Sequence, residues 1–403
     1  MNSKILVGKA IKFNPSELIS KGSVAKKIPM GALTEFQRKI NGFEYSEYNS
    51  GPKFRNGDTL VAKITPCLEN GKTAFVDILE NDEVAFGSSE FIVLRRTEYT
   101  TPEFIYYFAR SPLFRERAIS CMEGTSGRKR VNENSLKNLE FIFPDLPTQK
   151  SIAKVLSDLD AKIELNNKIN RELETMAKTL YDYWFVQFDF PVRTLSGVEG
   201  YKSSGGKMVY NAELKREIPE GWEVKNIGSI ILKRTDKTTS IESKNILNEG
   251  LYPVITQDNG DFISGFTNEN NPITDLPLIV FGDHSCTLRY IDFPFLRGAD
   301  GTQIMYFEAD LTIYVYLFLQ KIITQIPGYG KYERHYKYLK EFNIVIPNAK
   351  YLREFQKIVE PIFNKISKSR FQNQHLIALR DWLLPMLMNG QVTVRQTHGK
   401  LET

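Results

Sequence analysis

The chain has 403 residues, a formal net charge of +5, 41% hydrophobic residues and 25% charged residues. This length exceeds one ordinary core and predicts at least two domains, in a composition typical of globular proteins. The small positive excess names no partner, so the basic residues must be located before they carry meaning. Cys67, Cys121 and Cys286 are far apart and form no CxxC pair, and the four histidines show no zinc-site spacing. Reduced thiols in a cytoplasm are the expectation. The N-terminus lacks a signal-peptide core, and the longest apolar runs, such as Ile313–Leu319, are too short to cross a bilayer, so no membrane partner is expected.

Residues 1–147 read as a strand-rich first domain. Gly57-Asp58 precedes an apolar run to Thr65, and Asn70-Gly71 turns it into a hairpin partner, Lys72–Ile78. Glu90–Arg95 is a further strand. Pro102 opens a helix that Pro112 breaks or kinks. The loop Gly124–Val131 follows, then a strand over Asn138–Phe143. Residues 148–190 form a long amphipathic helix, about 38 residues from Thr148 to Phe185, with apolar residues in three heptad columns and Asn166 and Asn170 in the stripe. Residues 191–349 make the second domain, preceded by a Gly/Ser-rich linker over 191–217. Its strands fall at Tyr252–Thr256, Pro277–Phe281, Thr287–Ile291, Gln303–Phe307 and Glu341–Ile346, with a helix at Asp310–Gln325. Residues 350–403 carry a second long helix and a tail, with Pro361 expected to kink the helix or delay its start.

The second half repeats the first. An offset of 203 pairs Gly127 with Gly330, Leu136-Lys137 with Leu339-Lys340, Pro144 with Pro347, Leu173 with Leu376 and Leu180 with Leu383. It also sets Ser369 and Asn373 against Asn166 and Asn170, the residues expected to fix helix register. Gln149 and Gln356 align only if one helix slips by about a turn. Upstream of Gly127 only the plan repeats. The fold class is α+β: two mixed domains separated by two long antiparallel helices, with an internal pseudo-two-fold. A helix of this length spans roughly 57 Å, more than one B-DNA turn of about 34 Å. Such a frame suits a reader of two different half-sites at fixed spacing.

Two loops occupy one position of the repeat. The first offers Ser126, Arg128, Lys129 and Arg130; the second offers Lys331, Arg334, His335 and Lys337 interleaved with Tyr332. Arginine forks read guanine edges, lysine and serine hold phosphates, and aromatic rings stack on bases. A solvated basic turn is the plainer reading of either loop alone; recurrence favours DNA contact. Lys72 joins this set. Gly71-Lys72-Thr73 imitates a nucleotide-binding loop, but Pro66 stands where that motif needs glycine. Asp283-His284 has no third catalytic partner and reads as a turn of the second domain. No cofactor-binding glycine turn, base-flipping motif or carboxylate cluster stands out, so no catalysis and no bound cofactor or metal are expected. A coiled-coil scaffold indifferent to DNA explains the helices but not the paired loops.

Four stretches stand out together: Pro147-Thr148-Gln149, the run from Lys154 to Phe185, the second-domain opening Ile218–Val224 and the closing run Leu379–Val392. In them the chain resembles the specificity subunit of type I restriction–modification enzymes. The likeness covers essentially the whole chain, although the first domain lacks a Trp-containing opening. It implies two target-recognition domains on one double-stranded, bipartite DNA target. It implies helices that set the spacing and dock two methyltransferase subunits, with a restriction endonuclease/translocase subunit joining them. S-adenosylmethionine, ATP and magnesium then belong to those partner subunits.

Overall fold

The computed structural model describes residues 4–125, 127–193, 199–203, 207–234, 238–299 and 301–394. The chain divides into two compact units: Met1–Asn166 with Gln372–Thr403, and Asn167–Phe371. Each unit therefore contains part of both long helices.

In the first unit, one sheet has the strand order Ile11–Phe13, Phe91–Arg96, Thr59–Ala62, Thr73–Phe75. Its central strands are buried on both faces because side chains alternate across the pleat. Val61, Ile92 and Leu94 face a core built on the helix Pro102–Arg110, whereas Leu60, Val93 and Ala74 face a second core with Ile28, Phe54 and Ala85. That second core lies against the sheet Glu44–Glu47, Val24–Ile28, Ala85–Gly87, Lys53–Phe54. Pro112 does break the helix. Ser111 before it is extended, as a residue preceding proline prefers, and its hydroxyl caps a new helix, Pro112–Ser120, at Phe114 N–H.

In the second unit, Leu278–Gly282 is flanked by Leu288–Ile291 and Thr302–Met305, and a four-stranded sheet runs Ser240–Ile241, Leu296–Gly298, Tyr252–Ile255, Gly265–Thr267. The helix Ala309–Ile322 is apolar on nearly every side and is correspondingly buried. The stretch expected as a linker holds two antiparallel pairs instead: Asp189–Arg193 with Glu199–Ser203, and Met208–Asn211 with Arg216–Pro219. In the latter, Val209 and Ile218 sit opposite each other, a β-branched cross-strand pair that glycine and serine content alone does not reveal.

Both units close in the same way. Lys4–Leu6 pairs antiparallel with Glu140–Ile142, and Glu223–Asn226 with Asn343–Ile346. Val7 N–H then bonds to Leu139 O at 2.9 Å, and Ile227 N–H to Phe342 O at 2.9 Å. A Cβ on Gly8 would lie 2.9 Å from Lys137 Cβ, and one on Gly228 would lie 3.1 Å from Lys340 Cβ, so both turns favour glycine. The repeat thus reaches upstream of Gly127 through backbone geometry that residue identity had hidden.

The first long helix spans Leu146–Tyr181 and widens into a π turn over Asp182–Val186, while the second spans Ala349–Met388. Asp145 starts the first: its carboxylate accepts from Thr148 N–H at 2.9 Å, and the Thr148 side chain together with that N–H draws its pKa below the usual carboxylate value. Pro361 neither kinks the second helix into separate pieces nor delays its start. It faces solvent, where water can take the freed carbonyl, while Phe355, Val359, Ile362 and Ile366 are buried. Gln149 is fully buried; its amide donates to Tyr99 O at 2.7 Å and Pro144 O at 2.8 Å and accepts from Thr101 N–H at 2.9 Å. It locks the helix start to the domain. Gln356 makes none of these bonds; the repeat sets the buried Leu352 against Gln149.

Within each unit the helices are antiparallel, because partner numbers fall on one as they rise on the other. In the first unit Asp160 meets Arg380 at 2.6 Å, and Asn166 Nδ2 donates to Asn373 Oδ1 at 2.8 Å and Gln372 Oε1 at 3.0 Å. In the second, Arg370 meets Glu174 at 2.8 Å and the Trp184 and Phe355 rings are 5.6 Å apart. Of the four register candidates, Asn166 and Asn373 are bonded. Asn170 and Ser369 are buried, and the Asn170 side-chain carbonyl and Ser369 hydroxyl have no hydrogen-bond partner among the described residues.

In the second unit, Asp292 accepts from Ser367 Oγ at 2.6 Å. Burial raises its pKa above the ordinary 3.8, against the Ser367 bond and the Arg370 charge. A raised folded pKa means the fold favours the protonated acid, so its contribution to stability is lost as pH rises from the ordinary value through the folded one. Asp292→Asn is therefore expected to raise the thermal midpoint at pH 8, with the gain shrinking towards zero below the ordinary value. Thermal melts across that range check it.

Candidate nucleic-acid interface

In the first unit the basic loop hangs on the strand Thr59–Ala62 and its continuation. Val131 N–H bonds to Lys63 O at 2.9 Å, Ile64 bridges Arg130, and Thr65 and Lys129 exchange bonds at 3.1 Å. Met122–Glu123 pairs with Arg130–Val131, so the described residues between these strands form a hairpin tip. Gly124 and Gly127 supply positive φ at +119° and +86°, and Gly124 also lies close to the Arg128 carbonyl. Arg128 and Lys129 are exposed and have no ion-pair partner among the described residues. Arg130 differs from expectation. Its guanidinium forks onto Glu90 at 2.8–3.1 Å, lowering the pKa of Glu90 and raising its own. It is an anchor of the loop, because a carboxylate 40 residues upstream already occupies its donors. Lys72 reaches the same segment: its carbonyl accepts from Ala62 N–H at 3.0 Å. Ser126 lies outside the described residues.

In the second unit four chain segments converge. Asp283 N–H bonds to Gly301 O at 2.8 Å, His284 N–H to Gln257 Oε1 at 3.0 Å, and His335 N–H to Asp283 O at 2.9 Å. The Asp283 carboxylate accepts from Tyr336 N–H at 2.8 Å, starting the short turn Tyr336–Leu339. Arg289 is buried with its guanidinium on the carbonyls of Thr256, Asp258 and Asp261, which shapes the loop after Ile255. Burial lowers its pKa. Tyr332 is 84% exposed, and its ring stacks on His284 at 4.5 Å with planes 9° apart. Lys331 and Arg334 are exposed and have no ion-pair partner among the described residues, and Lys337 lies over the Tyr338 ring at 4.5 Å. His335, expected on the DNA-facing set, is fully buried beneath the loop and touches no solvent. Its backbone is pulled inwards by Asp283, a residue sequence reasoning placed only in a turn. His284 is the member that sequence reasoning left out; 48 residues separate it from Tyr332, and no local pattern joins them.

The two units thus present exposed cations on the loop before their closing strand, one with arginine and lysine alone, the other with a stacked aromatic pair. Among the described residues no group of three metal-ligating side chains occurs, and no helix is long and apolar enough to cross a membrane.

Residues 8–175 match the family described as type I restriction modification DNA specificity domain. The chain is similar to specificity subunits of type I restriction–modification enzymes. It is 27% identical to the MjaIX specificity subunit of Methanocaldococcus jannaschii over 73% of this chain and 70% of that one. It is 25% identical to the HindI specificity subunit of Haemophilus influenzae, over 84% and 87%. The crystal structure of the type I S subunit from M. genitalium shares the fold, with a TM-score of 0.56, 18% identity and 96% of each chain covered.

Proposed function

We propose that this chain is the DNA-reading subunit of a type I restriction–modification complex, each domain recognising one half of a bipartite, asymmetric target. The observation carrying this reading is the recurrence of a solvent-facing basic loop at one position of two otherwise dissimilar domains. Arg128 and Lys129 serve one half-site, and Lys331, Tyr332, Arg334 and Lys337 the other, with Lys72 beside the first loop. The long helices set the spacing between half-sites and dock two methyltransferase subunits, and restriction subunits complete the assembly. The chain itself performs no catalysis. S-adenosylmethionine serves the methyltransferases, and ATP with magnesium the restriction subunits, in a cytoplasmic complex.

Genome-wide mapping of methylated positions in a host carrying the chain and its methyltransferase subunit tests this. A single split motif is expected, and duplexes bearing it should outcompete scrambled duplexes with a steep salt dependence. Methylation lacking a split motif, or no specific binding even with the methyltransferase subunits present, overturns the reading.

A further inference from the structure

Tyr332 is 84% exposed, yet its ring lies flat against His284, with centroids 4.5 Å apart and planes 9° from parallel. Parallel stacking covers one face of the tyrosine and leaves the other to solvent. The supporting imidazole is held from several directions. His284 N–H donates to Gln257 Oε1 at 3.0 Å, and His284 Nδ1 lies 3.0 Å from Glu333 O. The preceding residue, Asp283, donates its N–H to Gly301 O at 2.8 Å, and its carbonyl accepts from His335 N–H at 2.9 Å.

Gln257 is itself propped. Its carbonyl accepts from Ser285 Oγ and, at 2.7 Å, from Thr287 Oγ1. A Cβ built on Gly301 would lie 2.6 Å from Gln257 Oε1, so glycine lets that amide sit where it meets His284. The buried Arg289 donates to the carbonyls of Thr256, Asp258 and Asp261 on the same loop. Burying a guanidinium is costly unless its donors are bonded, and here they fix the shape of an exposed loop. Support therefore runs from Arg289 through the loop and Gln257 to His284, and ends at one exposed aromatic face.

Lys331 and Arg334, also exposed, flank Tyr332 in the chain. A flat apolar face among cations complements a nucleobase on its phosphate backbone. Inside a duplex each base is covered on both faces by its neighbours. Tyr332 cannot enter between two base pairs without giving up His284, so it can take a base on one face alone. That base must part from a neighbour. The loop Glu123–Val131 of the first domain contains no aromatic residue, so of the two basic loops only the second can make this contact.

We propose that the Tyr332–His284 stack is a one-sided platform for a single unstacked nucleobase in the half-site read by the second domain. The contact rests on the DNA-reading function above and defines how part of that half-site is held.

The test uses the full-length chain with its methyltransferase subunits, on duplexes carrying the mapped split motif. An abasic nucleotide is placed opposite one base at a time through both half-sites, which frees that base from its pair. The ratio of abasic to intact affinity is compared for the native chain, Tyr332→Ala and Tyr332→Phe. At one position of one half-site the native ratio is expected to exceed that of Tyr332→Ala several-fold, because the cost of unstacking has already been met. Tyr332→Ala should also bind the intact duplex roughly tenfold more weakly, and Tyr332→Phe should match the native chain. Ratios equal at every position place the ring on sugar or phosphate and overturn the platform. So does Tyr332→Phe behaving as Tyr332→Ala, which assigns the contact to the hydroxyl. No specific binding by the native chain overturns the DNA reading and the platform together, whereas specific binding without the coupling overturns the platform alone.

Discussion

Replacing Arg128 and Lys129 with alanine is expected to weaken recognition of one half-site and leave the other intact. Each phosphate contact removed lowers the slope of log affinity against log salt by about 0.9, so loss of two contacts flattens it by about 1.8. If Arg128 instead forks onto a guanine, discrimination at that base falls by about 1–3 kcal/mol and the salt slope falls by less. Binding isotherms at several salt concentrations, on duplexes altered in one half at a time, separate the two roles. Equal loss at both halves contradicts a two-domain reader. Arg130→Ala belongs to a different class: it unpairs Glu90 and frees the loop from its anchor, so its effect includes disorder as well as lost charge.

Replacing Arg380 with alanine is expected to destabilise the first unit by about 3–5 kcal/mol. Arg380 and Asp160 side chains are 7% and 11% exposed, and Arg380 also contacts Asp381, which pairs with the buried Arg110. Tyr107 OH donates to Asp160 at 2.7 Å as well. Removing Arg380 alone leaves the largely buried Asp160 carboxylate with only a phenol for company. Replacing both with leucine should restore most of the loss, because an apolar pair carries no desolvation penalty. The other unit supports this expectation, since the repeat places Phe363 and Ala177 at those positions, in an apolar core with Tyr316 and Trp184. Denaturant titration of the two variants beside the native chain decides it; a double variant no better than Arg380→Ala refutes the charge argument.

The elements written by local pattern were legible. Apolar residues at helical spacing announce both long helices, proline and glycine announce the break at Ser111 and the hairpin at Gly71, and the offset of 203 announces the repeat. What stayed hidden depends on residues distant in sequence. Arg130 looked free because Glu90 is far upstream. His335 looked exposed because Lys331, Arg334 and Lys337 around it are exposed, whereas Asp283 draws its backbone inwards. The hairpins before the second domain were masked by glycine and serine, residues that signal a loop but do not forbid a strand. Pro361 carried a rule about helix interiors that its solvent-facing position softens.

The pairing of first and last strands has a consequence for how such a chain changes over generations. Lys4–Leu6 lies beside Glu140–Ile142, and Glu223–Asn226 beside Asn343–Ile346, so each domain begins and finishes at one hydrogen-bonded seam next to a helix start. Everything between the seams can be lengthened, shortened or exchanged while the seam and Gly8 or Gly228 keep their geometry. The two domains here already differ in sheet order behind matching seams. A lineage can therefore acquire a new target by replacing one module, without renegotiating the rest of the molecule.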